Sequence, residues 1–216
     1  MERDTWDRRP TDGRTGTGER NTELSRPRVE PANVREATLD DAAAVADIAR
    51  GSWHAAYDDL LSPSVVDETV DAWYDPADLR DQLDRNRIGG VYVAEIEGEL
   101  TGFAHVYDGD DERIGRGENE LGGANAPAEL ELGRLYVREA YWGRGVGTAL
   151  VERAAAELAA EGVERLRAVV FADNEVGRAF YDARGFEVRG ERTEKFAGDA
   201  YDELVVVAAV DDLRAE

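Results

Sequence analysis

From Ala42 onward, apolar residues recur every three or four positions. Ala42, Val45, Ile48 and Ala49 fall on one face, which predicts an amphipathic helix. Thr38-Leu39-Asp40-Asp41, just before it, has capping-box spacing with Thr38 as N-cap. Val34 to Ala37 reads as a short strand. Ser62-Pro63 and Asp75-Pro76 start two more helices, each proline standing where its missing N–H is harmless. Val66, Val70 and Trp73 make the stripe of the first, and Leu79 and Leu83 that of the second. The pattern then changes. Val91 to Ile96 and Leu100 to Tyr107 flank Gly98 and predict a β-hairpin. Leu130 to Val137 is a further strand. In the segment Val146 to Glu161, Val146, Leu150, Ala154 and Leu158 are spaced by four, and Gly162 is the stop signal. Leu166 to Phe171 reads as a buried strand. Asn174 to Arg184 is a short helix ended by Gly185. Phe186 to Val188 and Glu203 to Val210 supply late strands. This order predicts a mixed α/β (α+β) layer fold with a strand–turn–helix unit at its centre.

Two segments fall outside the pattern. Residues 1–28 hold little Val, Ile, Leu or Phe and much Arg, Thr, Gly and Asp, so they are expected to stay disordered. The folded domain is expected over 29–216, with order beginning near Asn33. Residues 108–128 are acidic and glycine-rich, too long for a plain turn, and read as a mobile active-site loop or an exposed insertion. There is no internal repeat. No run approaches 18 apolar residues, so no membrane span is expected. The charged opening lacks the apolar stretch of a signal peptide, and a cytoplasmic location is expected.

Charge changes the picture further. Asp and Glu total 48 against 26 Lys plus Arg, a net charge of -22. Such a surface repels phosphate backbones, which argues against nucleic-acid partners. Lys195 is the only lysine. Acidic excess with almost no lysine resembles the proteomes of salt-in halophiles, where molar salt cuts the Debye length to about 3 Å and screens self-repulsion. A high-GC genome is the alternative source of the same bias. There are no cysteines and only two histidines, His54 and His105. Disulfide and thiolate chemistry are thereby excluded, and no metal site is expected.

Candidate chemistry begins where the strand Leu135-Tyr136-Val137 runs through Arg138-Glu139-Ala140-Tyr141-Trp142 into Gly143-Arg144-Gly145-Val146-Gly147-Thr148. Glycine lets backbone N–H groups approach a ligand closely. The helix that follows adds unpaired N–H donors and a dipole that favours an anion. Such a turn can cradle a pyrophosphate, or it can be a tight helix–strand packing turn. It lacks the Gly-Lys-Ser/Thr of a Walker A loop and the glycine spacing of a dinucleotide fingerprint. One helix and one strand later comes Asn174-Glu175-Val176-Gly177-Arg178-Ala179-Phe180-Tyr181-Asp182-Ala183-Arg184-Gly185-Phe186.

Together the two segments resemble the GNAT superfamily of acyl-CoA-dependent N-acyltransferases, closely over about residues 130–190 and loosely over 33–210. The family pattern is a strand ending in Leu-Tyr-Val, then Gln/Arg-x-x-Gly-x-Gly/Ala and a helix, and later Asn-x-x-Ala-x-x-Phe-Tyr-x-x-x-Gly-Phe. The resemblance implies a largely antiparallel central sheet flanked by helices. It also implies acetyl-CoA as co-substrate and no metal. Gly143, Arg144, Gly145, Val146, Gly147 and Thr148 would then wrap the pyrophosphate through backbone amides. Leu135, Tyr136 and Val137 would offer backbone groups to the pantetheine arm and an N–H to the oxyanion. Asn174 matches a residue that contacts the cofactor arm, and Tyr181 one that protonates the departing thiolate. Phe180 is expected to serve the core and leave Tyr181 pointing elsewhere.

Two positions depart from the pattern. Trp142 stands where the family has Gln or Arg, so a polar phosphate contact is missing and Arg144 is expected to supply the charge. Gly177 replaces Ala within a helix, at a cost of about 1 kcal/mol. For the general base, Glu131 is the candidate, with Glu129 behind it, His105 as rival and water as a further route. Trp53, His54 and Tyr57 are candidates to border the acceptor pocket, with Asp199, Tyr201 and Asp202 on its other side. The expected reaction is direct acetyl transfer to a primary amine of a small molecule or peptide, by a monomer or homodimer. A protein N-terminal acetyltransferase and a non-catalytic acyl-CoA-binding module are the alternatives.

Overall fold

A computed structural model describes residues 30–83, 89–107, 129–196 and 198–215. The expected tail and the acidic segment 108–128 lie outside the described residues. β1 (Asn33–Glu36) leads through a single 3-10 turn, Leu39–Asp41, into α1 (Ala42–Tyr57). The start signal works through Asp41, whose Oδ2 accepts from the Thr38 N–H at 2.7 Å and the Thr38 hydroxyl at 2.9 Å. Arg35 donates to both oxygens of the same carboxylate, at 2.7 and 3.0 Å. That guanidinium is the main reason the Asp41 carboxyl titrates at about 2, below its ordinary 3.8.

α2 (Pro63–Trp73) and α3 (Pro76–Leu83) follow, then the hairpin β2 (Gly90–Ile96) and β3 (Glu99–Tyr107). β4 (Glu129–Val137) feeds through the glycine turn into α4 (Val146–Ala160). After these come β5 (Arg165–Phe171), α5 (Glu175–Asp182), β6 (Glu187–Phe196) and β7 (Asp199–Ala209). The strands form one sheet in the order β1-β2-β3-β4-β5-β7-β6. Every neighbouring pair is antiparallel except β4 and β5.

An apolar layer covers each face of the sheet. On one, α4 lays Val146, Leu150, Ala154 and Leu158 against Tyr92, Ala94, Leu132 and Leu166. On the other, α1 to α3 pack Val45, Ile48, Val66, Val70 and Leu79 against Val91, Val93 and Phe103. β2 therefore sends alternate residues into both layers, which accounts for its unbroken apolar run. Fully burying one such Leu or Val side chain contributes about 1.5–3 kcal/mol.

The late strands differ from the expectation. β6 has ten residues and extends far past Val188, and β7 begins at Asp199 rather than Glu203. β6 is the outer edge strand, rich in Glu and Arg, a composition that blunts edge-to-edge pairing and conceals a strand from apolar periodicity. It is held by ladder pairing with β7 and by cross-strand contacts. Arg192 Nε donates to Glu203 at 2.8 Å, and the Thr193 hydroxyl donates to Asp202 at 2.9 Å.

Candidate active site

β4 and β5 pair only at Glu129–Arg165, Leu130–Leu166 and Glu131–Arg167. Beyond that point β5 continues beside β7, while β4 departs and leaves the edge that faced β5 unpaired. The cause lies in Gly133. His105 pairs with Arg134 and Val106 with Leu132, so Gly133 is an extra residue, a β-bulge. Bulges bend a strand and sharpen its twist. A Cβ built at Gly133 would overlap the buried Tyr107 phenol, so only glycine fits there. The closed end of the V is tied by a buried ion pair. Arg167 Nη2 donates to Glu131 Oε2 at 2.7 Å, and the Tyr107 hydroxyl donates to Glu131 Oε1 at 3.4 Å.

The open end of the V is a cleft of about 820 Å³. Its floor holds Leu135, Tyr136 and Val137 from β4 and Val169 to Phe171 from β5. The glycine turn closes one side. Gly143 has φ +70° and Gly145 φ +84°, left-handed values that suit glycine. The Ala149 N–H donates to the Gly145 carbonyl at 2.9 Å and opens the helical ladder. The N–H groups of Val146, Gly147 and Thr148 therefore precede it and have no helical acceptor. Gly147 lies so close to Phe180 that a Cβ there would stand 3.0 Å from the ring. α5 forms the opposite lip. Asn174 caps it, its Oδ1 accepting from the Gly177 N–H at 2.8 Å. A Cβ at Gly177 would meet Asn174 Nδ2 at 2.9 Å and Val170 at 3.0 Å, so glycine there makes room for the cap.

Most of the expected residues thus come together. Leu135, Tyr136, Val137, Gly143, Gly145, Val146, Gly147, Thr148, Asn174 and Tyr181 all line one cleft. Tyr181 is the buried residue of α5, edge-on to Phe186 at 5.1 Å, whereas Phe180 is half-buried. The division of labour expected between those two rings is reversed in burial, because Phe180 covers Gly147 while the core packs around Tyr181.

Arg144 and Glu131 do not line the cleft. The Arg144 guanidinium lies over the Tyr141 ring at 4.7 Å, and the Arg144 backbone N–H donates to the Tyr141 carbonyl at 3.3 Å. Glu131 is committed to Arg167 at the closed end. His105 and Glu129 are likewise outside; Glu129 accepts from Arg165 Nε at 3.0 Å. Of the acceptor candidates, Trp53 and Tyr57 line the cleft. His54 does not: Asp58 at 2.8 Å and Asp67 at 3.4 Å hold its ring, and the Asp58 contact is the main cause of its raised pKa. Asp199, Tyr201 and Asp202 are also absent from the lining, though the Tyr201 ring lies 5.6 Å from Phe171.

Three features escaped the sequence. Arg184 is the one guanidinium lining the cleft among the described residues, and its Nε donates to the Thr148 hydroxyl at 3.0 Å. A basic residue just past the end of a short helix was the available signal. Trp142 Nε1 donates to the Val137 carbonyl at 2.7 Å, a bond no pattern reveals. Glu203, only 3 % exposed, also lines the cleft. Its signal was a carboxylate directly at the head of the apolar run Leu204-Val205-Val206-Val207. Among the described residues no three His, Asp or Glu side chains form a group that could hold a metal ion. Nor is any helix there long and apolar enough to cross a membrane.

Comparison with known proteins bears on this arrangement. The sequence profile of the acetyltransferase (GNAT) family matches residues 52–186. An uncharacterised N-acetyltransferase of Mycobacterium tuberculosis is 25 % identical over 169 residues, 78 % of this chain and 97 % of that one. Among solved structures, the PaiA N-acetyltransferase of Thermoplasma acidophilum, in complex with coenzyme A, superposes with a TM-score of 0.64. Its identity is 21 %, over 81 % of this chain and 98 % of that one. The ribosomal-protein-S18-alanine N-acetyltransferase of Escherichia coli gives 0.58 at 16 % identity, over 83 % and 94 %. The profile spans more than half of the chain, and the chain belongs to the GNAT family of acetyltransferases.

Proposed function

We propose that this chain is an N-acetyltransferase that binds acetyl-CoA in the V between β4 and β5 and passes its acetyl group directly to a primary amine. One observation carries the reading: unpaired helix N–H groups, an open strand edge and a buried tyrosine share a single cleft. The N–H groups of Gly143, Gly145, Val146, Gly147 and Thr148 take the pyrophosphate. Arg184, beside Thr148, is assigned the phosphate charge first expected of Arg144. The backbone of Leu135 to Val137 flanks the pantetheine arm, and Trp142 Nε1 holds the Val137 carbonyl. Asn174 steadies the α5 lip.

Acetyl-CoA supplies the activated acyl group. The acceptor nitrogen gives its ammonium proton to water and then forms the C–N bond as the C–S bond breaks. The Tyr181 phenol gives the sulfur its proton and is restored by the one the nitrogen sheds. Glu131, held by Arg167 outside the cleft, is assigned a clamping role rather than that of base. The net charge of -22 supports a further element of the proposal, work in a salt-rich cytoplasm, and the melting temperature should climb as KCl is raised to molar levels.

Calorimetric titration with acetyl-CoA, followed by thiol release on a panel of small amines and peptides, tests the reading. Binding with turnover of a small amine supports it. Turnover of peptides alone would make the chain a protein N-terminal acetyltransferase. Binding without turnover would make it a regulatory module, and no binding at all would end the proposal.

A further inference from the structure

Glu203 has no part in cofactor binding as assigned above, yet it is a buried carboxylate facing the cleft. Its position is fixed by register. On β7 it pairs directly with Phe171 of β5, so both side chains share one face, and Tyr201 two residues away shares it too. The Tyr57 ring meets Phe171 edge-on at 5.3 Å, and Trp53 meets Tyr57 at 5.0 Å. An aromatic wall thus runs from α1 across β5 to β7, with Glu203 at its foot.

Burying a carboxylate costs several kcal/mol unless partners offset it. Among the described residues Arg192 is its one partner, and the Arg192 Nε bonds Oε2 alone. Oε1 is left for another donor. Of the other charged residues lining the cleft, Asp59, Asp173 and Glu175 are acidic, and the single cation, Arg184, is engaged with Thr148 at the α4 end. Arg192 offsets the Glu203 charge from outside the lining, and Asp59, Asp173 and Glu175 then leave the cleft negative away from Arg184, which draws cations and repels acids. Aromatic rings beside a carboxylate also favour an ammonium directly.

We propose that Glu203 and the Trp53–Tyr57–Phe171 wall form the acceptor subsite, and that the acceptor is a small primary alkylammonium with an apolar body and no acidic group. Glu203 Oε1 accepts a hydrogen bond from the ammonium, and the rings cover the apolar body. This rests on the transferase reading above.

The test is kcat/KM at saturating acetyl-CoA for phenethylamine, for phenylalanine, which differs by its carboxylate, and for an uncharged-side-chain peptide with a free N-terminus. Phenethylamine should exceed phenylalanine by at least about 100-fold, the order expected when a like charge faces a buried carboxylate. Glu203→Gln should raise KM for phenethylamine at least about tenfold, as for loss of a hydrogen bond to a charged group, and shrink its advantage over phenylalanine. The acetyl-CoA affinity of the variant should stay unchanged. Equal use of phenylalanine, preference for the peptide, or discrimination that survives Glu203→Gln would overturn the subsite. The wild-type series decides by itself if the variant does not fold. Failure of the wild-type protein to bind acetyl-CoA would instead remove the transferase reading.

Discussion

The sharpest test of the phosphate cradle is the contrast between two arginines. Sequence favours Arg144, inside the glycine turn; geometry favours Arg184, which lines the cleft and bonds the Thr148 hydroxyl at 3.0 Å. Arg144 instead lies over Tyr141 at 4.7 Å, with its guanidinium turned away from the lining. A hydrogen bond to a charged group is worth about 1.5–3 kcal/mol. At about 1.4 kcal/mol per tenfold change in Kd, Arg184→Ala should weaken coenzyme A binding by roughly 10- to 100-fold. Arg144→Ala should cost less than about threefold, as an exposed charge some way from its target contributes under 1 kcal/mol. Calorimetry with coenzyme A and with pantetheine, which lacks the phosphates, separates charge recognition from general damage. The Arg184→Ala penalty should vanish with pantetheine and shrink in molar salt. An equal penalty for pantetheine, or an Arg144→Ala loss as large as that of Arg184→Ala, would refute the assignment.

Other outcomes follow from the same geometry. Tyr181→Phe should leave acetyl-CoA affinity unchanged and lower kcat by about 100-fold or more, the usual scale for a positioned acid; steady-state kinetics beside calorimetry checks this. Glu131→Gln should remove less than the about 3–5 kcal/mol of a fully stranded buried charge, since Glu129 still lies 4.0 Å from Arg167, seen as a lower melting temperature with near-normal kcat in the folded fraction. A base at Glu131 would give the opposite pattern. Asp41→Asn should cost about 1–2 kcal/mol through loss of the helix start and the Arg35 pair. The Asp41 carboxyl titrates at about 2 when folded against 3.8 ordinarily, so its stabilisation is present above pH 3.8 and lost as pH falls toward 2. Melting curves across that window should therefore be flatter for Asp41→Asn than for the native chain.

What the sequence disclosed is what depends on neighbouring residues. Thr38 and Asp41 form a cap because they are three apart, and Gly143 and Gly145 adopt positive φ within their own turn. The Asn174 cap of α5 is local in the same sense. Arg184 and Thr148 stand far apart in the chain and meet only because α4 and α5 flank the same strand pair. Trp142 found a partner in Val137 that no family pattern names. β6 carries alternate charges because it borders solvent, so its ten residues look like loop to any scan for apolar alternation. Glu203 is hidden for the same reason: its counter-charge is Arg192, on the strand that the sequence conceals.

The site also explains why one strand can be both clamp and opening. Glu131 and Gly133 are two residues apart on β4, yet they act oppositely. Glu131 binds Arg167 and keeps β4 against β5. Gly133 yields its side-chain space to Tyr107 and bulges, so the strands diverge just past the point where they are tied. Tyr107 links the two events, since its hydroxyl also reaches Glu131 at 3.4 Å. The V is therefore set by a buried cluster at its closed end, of which Gly133 alone also lines the cleft. A carboxylate in that cluster looks catalytic in sequence because it lies so near the cradle strand. In three dimensions it holds β4 to β5, and the buried carboxylate that lines the cleft is Glu203, from the other end of the chain.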